Sequence, residues 1–390
     1  MPSPAGFSAR RSFTGSLLML SLISAIVPAL AQQPPPPVFT EVQSDHRIVF
    51  RFRAPSAKDV AVGIDSMKQP LPMQKDEQGV WSAMTDPLDP DYYGYSFVAD
   101  GVTLIDPTNP LMQPNLLDTQ SMVLVPGPAS LPWQVSDVPH GVIHQHFYHS
   151  RIVGDDRDYY VYTPPGYNPA GTTRFPVLYL LHGYSDDASA WTAVGRANVI
   201  LDNLMAAGKA HPMLIVMPLG YGAPEIVQPT PVFAAAFHDQ KLRQRNFDRF
   251  RDALLQEVIP AVESSYRVST ARTARAIAGL SMGGTETLLV GLNTLDRFAW
   301  VGAFSSGGLG EDLEKQFPGL DSKANSQLRL LWVSCGRDDR LLGNNHKLRD
   351  WLESKQIHFT WLETAGAHSW QVWRRNLADF AALLFQESAR

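Results

Sequence analysis

Gly279-Leu280-Ser281-Met282-Gly283, followed at once by Gly284, closes the apolar run Ala274–Leu280 and opens a stretch with helical character. A serine on so sharp a strand-to-helix turn projects its hydroxyl above the sheet. The flanking glycines let neighbouring backbones pass closely, so the context is that of an exposed nucleophile. The fold follows from the same reading, because such a turn needs a strand beneath it and a helix behind it. Around it, apolar runs alternate with helical stretches: Phe175–Leu181, Met213–Met217, Trp300–Phe304, Leu328–Ser334 and His358–Leu362 against Ala193–Ala207, Phe247–Ser265, Asn344–Ser354 and Trp370–Gln386. Near-continuous apolar strands separated by helices predict an α/β domain with a mostly parallel sheet covered on both faces.

A serine hydroxyl is a poor nucleophile unless an imidazole takes its proton and a carboxylate orients the imidazole. Both occur downstream of Ser281. The run Leu328–Ser334 ends in Cys335-Gly336-Arg337-Asp338-Asp339, and the next strand ends in Gly366-Ala367-His368-Ser369-Trp370. The order serine, acid, histidine is the one this strand–turn–helix arrangement uses. His368 is the candidate base, and either aspartate is placed to orient it. Negative charge on a carbonyl oxygen must also meet backbone N–H groups. Met282, directly after the serine, supplies one. Tyr184, after Leu181-His182-Gly183, is the best candidate for the other, with Gly183 and Ser185 as alternatives. His182 is expected to hold that loop rather than move protons.

Ahead of the α/β pattern, residues 38–126 read as β. Ile48–Arg53 alternates, Val60–Ile64 and Gly79–Ala83 are short strands, and Tyr92–Val98 runs through the hairpin signal Asp100-Gly101 into Val102–Ile105. Short strands with no helical period predict a small immunoglobulin-like sandwich. Residues 127–137 read as a linker, leaving 138–390 for the α/β domain. At the other end, Arg10-Arg11, the apolar run Ser16–Ile26 and Ala29-Leu30-Ala31 form a signal peptide expected to be cut after Ala31, with 32–37 as a proline spacer. The apolar run is too short to span a bilayer, so a secreted or periplasmic protein without stable membrane insertion is expected.

Composition narrows the chemistry further. A net charge of -5 and the absence of a basic stripe argue against nucleic acid. The single Cys335 excludes an intrachain disulfide. The histidines show neither His-Glu-x-x-His nor a matching ligand set, and no phosphate-cradling glycine loop occurs, so neither metal nor cofactor is expected.

Five segments together resemble family 1 of the carbohydrate esterases, the feruloyl and acetylxylan esterases, which are similar to esterase D and the mycolyltransferases. They are Tyr160–Tyr167, Val177–Gly183, the Ser281 turn, Cys335–Leu342 and Gly366–Trp373. The resemblance implies an α/β-hydrolase fold and an acyl-enzyme mechanism. It also selects Asp339 over Asp338, the family's acid being third after the glycine of this loop. Residues 38–125 resemble the early-set, glycogen-binding-type module through Gly79-Val80-Trp81, Tyr93–Phe97 and Asp100-Gly101 with Ile105-Asp106-Pro107. Where sugar-binding members present a tryptophan, this chain has Asp65–Pro70, so a supporting role or a cleft wall is expected instead. The substrate implied is a feruloyl or acetyl ester of a plant-type polysaccharide or oligosaccharide, with Trp191, Tyr221 and Trp370 as candidate contacts. A siderophore triester and acyl transfer of the mycolyltransferase type are the alternatives.

Overall fold

The structure is a computed structural model that describes residues 39–65, 67–128, 131–229 and 235–386. The signal peptide and proline spacer read from the sequence lie outside these residues. An eight-stranded sheet organises the larger layer. Its strands are β1 (Val142–Ser150), β2 (Asp155–Thr163), β3 (Val177–Leu181), β4 (Leu214–Pro218), β5 (Arg275–Leu280), β6 (Trp300–Phe304), β7 (Leu330–Gly336) and β8 (Thr360–Thr364). They lie in the order β1-β2-β4-β3-β5-β6-β7-β8. The pairs β1–β2 and β2–β4 are antiparallel, and every later pair is parallel. This is the α/β-hydrolase architecture.

The central strands are buried throughout because helices cover both faces. One set of alternate side chains, including Leu178, Leu180, Ile215, Ala276 and Ala278, packs with Ile200, Leu201 and Leu204 of helix α1 (Ala197–Ala206). Leu377 and Phe380, from the last helix of the chain, join them. The other set, Val177, Tyr179, Val216, Ile277, Val301 and Val333, packs with Phe250, Leu254 and Val262, with Leu288 and with Leu348 and Leu352. The latter come from α2 (Gln240–Ala253, continuing to Ser265), α3 (Ser281–Gly291) and α4 (Leu342–Ser354). The last helix is α5 (Trp370–Leu383). Chain leaves β3, β5, β6, β7 and β8 at the same carboxyl edge, where open α/β sheets gather their functional loops.

The N-terminal part is a sandwich of two antiparallel sheets. Ile48–Arg53 and Val80–Met84 centre the first, and Val60–Ile64, Asp91–Ala99 and Gln120–Val125 the second. Asp91–Ala99 is buried from Asp91 through Phe97. Tyr93, Tyr95 and Phe97 fill the sandwich core, whereas Tyr92 turns the other way and packs in the same core as α1 and α5. Residues 132–134 of the segment read as a linker are fastened to that junction. Trp133 is buried there, and Asn203 of α1 donates to the carbonyls of Pro132 at 2.7 Å and Gln134 at 2.8 Å.

An ion pair closes the junction. Arg374 of α5 reaches Asp91 at 2.7 Å, both side chains being 0% exposed. It also donates to the carbonyls of Tyr92 and Val194, each at 2.8 Å. Gln371 adds a bond to Tyr92 at 2.9 Å. Removing one member of such a pair strands the other charge in a dry interface, which costs about 3–5 kcal/mol. Asp91→Ala should therefore lose about that much stability in urea unfolding followed by circular dichroism. Asp86→Ala, on a fully exposed surface carboxylate, should lose almost nothing.

Candidate active site

Ser281 sits directly after β5 with φ 51°, in the left-handed region. The surrounding chain enforces this conformation. A Cβ on Gly279 would lie 2.5 Å from the Gly283 carbonyl, and one on Gly283 would lie 2.3 Å from that of His182. Both glycines are thus required by the close passage of backbone around the turn. α3 begins at Ser281, so the Met282 N–H lies in its first turn, where backbone donors point away from the helix.

The other two residues arrive from the ends of β7 and β8. His368 Nε2 lies 3.0 Å from Ser281 Oγ, and its Nδ1 lies 2.8 Å from Asp339 Oδ2. Asp339 is buried, and its Oδ1 also accepts the Leu341 N–H at 2.8 Å. Burial alone would raise its pKa. The His368 hydrogen bond and charge, the Leu341 N–H and the nearby Ser305 hydroxyl outweigh that and hold the carboxyl below the usual range. Asp338, one residue earlier, is exposed. The arrangement can pass the serine proton to a ring nitrogen while a fixed carboxylate steadies the imidazolium. Burial, with the Asp339 charge second, pushes the nearby Cys335 thiol up to about 12, so this sole cysteine stays protonated and is no rival nucleophile.

The loop after β3 faces the serine. A Cβ on Gly183 would stand 2.6 Å from Leu280 Cδ1 and 3.5 Å from Ser281 Cβ, so the bare glycine lets this loop lie against the serine turn. Tyr184 follows it, half-buried, its hydroxyl donating to the Ile226 carbonyl at 3.2 Å. His182 is buried beneath. Its Nδ1 bonds the Gly183 carbonyl at 2.8 Å, and its Nε2 accepts the Gly220 N–H at 2.8 Å. Those roles require the neutral ring, and burial lowers its pKa to about 4. A depressed folded pKa gives stability that is present above the unfolded value near 6.5 and lost as pH falls through about 4. The stability advantage of wild type over His182→Gln should therefore shrink by roughly 3 kcal/mol between pH 7 and pH 4, read by urea unfolding at each pH.

The aromatic residues expected to meet substrate are placed differently. Trp191 and Tyr221 are 1% exposed and Trp370 is 5% exposed. Trp191 donates to the Leu181 carbonyl at 2.9 Å and stacks edge-on against Trp370 at 5.2 Å, while Tyr221 donates to the Asp186 carbonyl at 2.9 Å. Their faces are spent on packing under the loops, which corrects the expectation of substrate contact. Phe237, against Tyr184 at 5.1 Å, and Trp373, edge-on to His368 at 4.8 Å, are the aromatics beside the site. Gly307, whose Cβ position lies 3.6 Å from Ser281 Oγ, leads through Gly308 into a groove of about 580 Å³ with Arg243, Asp248, Asp312 and Lys315 in its walls. Among the described residues, no group of three or more His, Cys, Asp or Glu is placed to hold a metal ion.

Fold and site together define an esterase of the α/β-hydrolase class. The Esterase family model matches residues 150–384, more than half of the chain, and the chain belongs to that family. It is a carboxylic ester hydrolase. An endo-1,4-beta-xylanase/feruloyl esterase of Xylanibacter ruminicola is 29% identical over 352 residues, covering 88% of this chain and 46% of its own length. This chain thus spans less than half of that relative. An acetyl esterase of Caldicellulosiruptor saccharolyticus is 23% identical across 52% of this chain and 80% of its own. The CE1 ferulic acid esterase of Anaeromyces mucronatus shares the fold at TM-score 0.57 and 24% identity, covering 66% of this chain and 96% of its own. The enterobactin esterase of Shigella flexneri does so at TM-score 0.65 and 20% identity, covering 90% and 96%.

Proposed function

We propose that this chain is an exported serine esterase that removes feruloyl or acetyl groups from plant-type polysaccharides or their oligosaccharides. The observation that carries the serine mechanism is the continuous relay from Ser281 Oγ through His368 to Asp339. Ser281 attacks the ester carbonyl while His368 takes its proton, and Asp339 holds the ring. The backbone N–H groups of Met282 and Tyr184 meet the developing oxyanion. His368 then gives the proton to the leaving alcohol, and water releases the acyl group by the same steps in reverse. Likeness to the Xylanibacter relative across 88% of this chain supports the substrate class, and the polar groove beyond Gly308 suits the saccharide side. The stretch from Arg10 to Ala31 supports export.

A second reading, hydrolysis of a catecholate siderophore triester, has one observation in its favour. The Shigella enterobactin esterase shares the fold across 90% of this chain, a span that takes in the sandwich. One panel separates the two: kcat/KM on methyl ferulate, acetylated xylan, 4-nitrophenyl acetate and a catecholate triester. The polysaccharide reading expects methyl ferulate or acetylated xylan to exceed the triester by at least tenfold. The reverse ranking would overturn it.

A further inference from the structure

The loop that faces Ser281 is held from outside its own layer. Between the sandwich strands Met112–Gln113 and Gln120–Val125, the chain reaches across to the segment after β3. Asn115 Nδ2 donates to Ser185 Oγ and to Asp186 Oδ1, each at 3.1 Å. The next residue, Leu116, donates its N–H to the Ser185 carbonyl at 2.7 Å. Asn115 is itself fixed, its Oδ1 accepting the N–H groups of Leu117 and Asp118 at 3.0 Å each. On the receiving side, Ser185 is a buried non-glycine residue at φ 68°, a left-handed conformation that surrounding contacts must sustain. Asp186 is buried too, and its Oδ2 accepts the Gly183 N–H at 3.3 Å. A chain of bonds thus runs from the sandwich through Asp186 to Gly183, the residue packed against the nucleophile. Burial raises the Asp186 carboxyl to about 7, so the group depends on the donors that Asn115 and Gly183 supply.

We propose that Asn115, carried by the N-terminal sandwich, is a positioning residue for ester hydrolysis, holding the Gly183–Asp186 turn in the geometry that presents the Tyr184 N–H to the oxyanion. The proposal rests on the reading of that turn as part of the oxyanion site. A donor misplaced by a fraction of an ångström loses most of its value to the transition state while ground-state binding barely changes. The sandwich then acts on the chemistry without touching the substrate.

The test uses the full chain and 4-nitrophenyl acetate, with active sites titrated by a 4-nitrophenyl phosphonate. Asn115→Ala should lower kcat per titrated site tenfold or more, with KM within threefold of wild type. Asn115→Asp should be worse, because it sets a second carboxylate against Asp186. The exchange N115D/D186N restores one donor facing one acceptor and should recover most of the loss. A kcat per titrated site within twofold of wild type for Asn115→Ala would overturn the proposal, as would a change confined to KM or failure of the exchange to rescue. Ser281→Ala in the same assay separates the two levels. If that variant is dead while Asn115→Ala is unaffected, the serine mechanism stands and only the positioning role falls.

Discussion

Ser281→Ala is expected to abolish ester hydrolysis while leaving the fold intact. Oγ is the attacking atom, and the left-handed turn is imposed by backbone packing at Gly279 and Gly283 rather than by the hydroxyl. Loss of a serine nucleophile costs roughly 10⁴–10⁶-fold in kcat. The measurement is turnover of methyl ferulate or 4-nitrophenyl acetate by purified variant, beside a thermal midpoint within a few degrees of wild type. A fluorophosphonate probe should label wild type and not the variant, with the adduct mapped to the Ser281 peptide. Retention of more than a few per cent of activity would show that another group attacks the ester.

Asp339→Asn should be nearly as damaging, lowering kcat by about 10⁴-fold. The amide can donate to His368 Nδ1 and so favours the tautomer with its proton on Nε2, where the serine proton must go. It also removes the negative charge that stabilises the imidazolium. Because Asp339 is held below the usual carboxylate range, wild type keeps that charge throughout the neutral pH range. Asp338→Asn is the control. Its carboxyl is exposed, and only its backbone N–H is engaged, with the Gly366 carbonyl at 3.0 Å. The control should stay within several-fold of wild type. Equal losses for the two variants would mean that the effect comes from disturbing the loop rather than from the carboxylate beside His368.

These expectations draw unequally on sequence and structure. The strands from β3 to β7 were legible because each is a short apolar run bounded by turn residues, buried on both faces. The hairpin of β1 and β2 was not, although its residues were in view. Val142–Ser150 is an edge strand whose exposed face carries Gln145, His149 and the largely exposed Phe147, with His144 and His146 half-buried on the other, so no apolar run marks it. Tyr92–Val98 was legible as a strand. Its two faces have separate partners that only the structure shows, the sandwich core for Tyr93, Tyr95 and Phe97 and the α1–α5 side of the main layer for Tyr92. Trp191, Tyr221 and Trp370 show the opposite failure. An aromatic near a strand end in sequence can turn under the loop as easily as over it, and all three turned under.

By itself the sequence determined the α/β class, the serine turn, the candidate histidine and their order along the chain. It could do so because a parallel sheet delivers each of these loops to one edge, so being at the end of a strand is already a statement about place. The resemblance to a known family chose Asp339 over Asp338, and the structure sets Asp339 against His368. Only the tertiary structure spent the tryptophans on packing and joined Asp91 to Arg374. It alone brought Asn115 to Ser185 and Asp186, 70 and 71 residues further along the chain. Such contacts depend on how one layer docks on another. That is decided by the summed burial of many side chains, and no local period or motif encodes it.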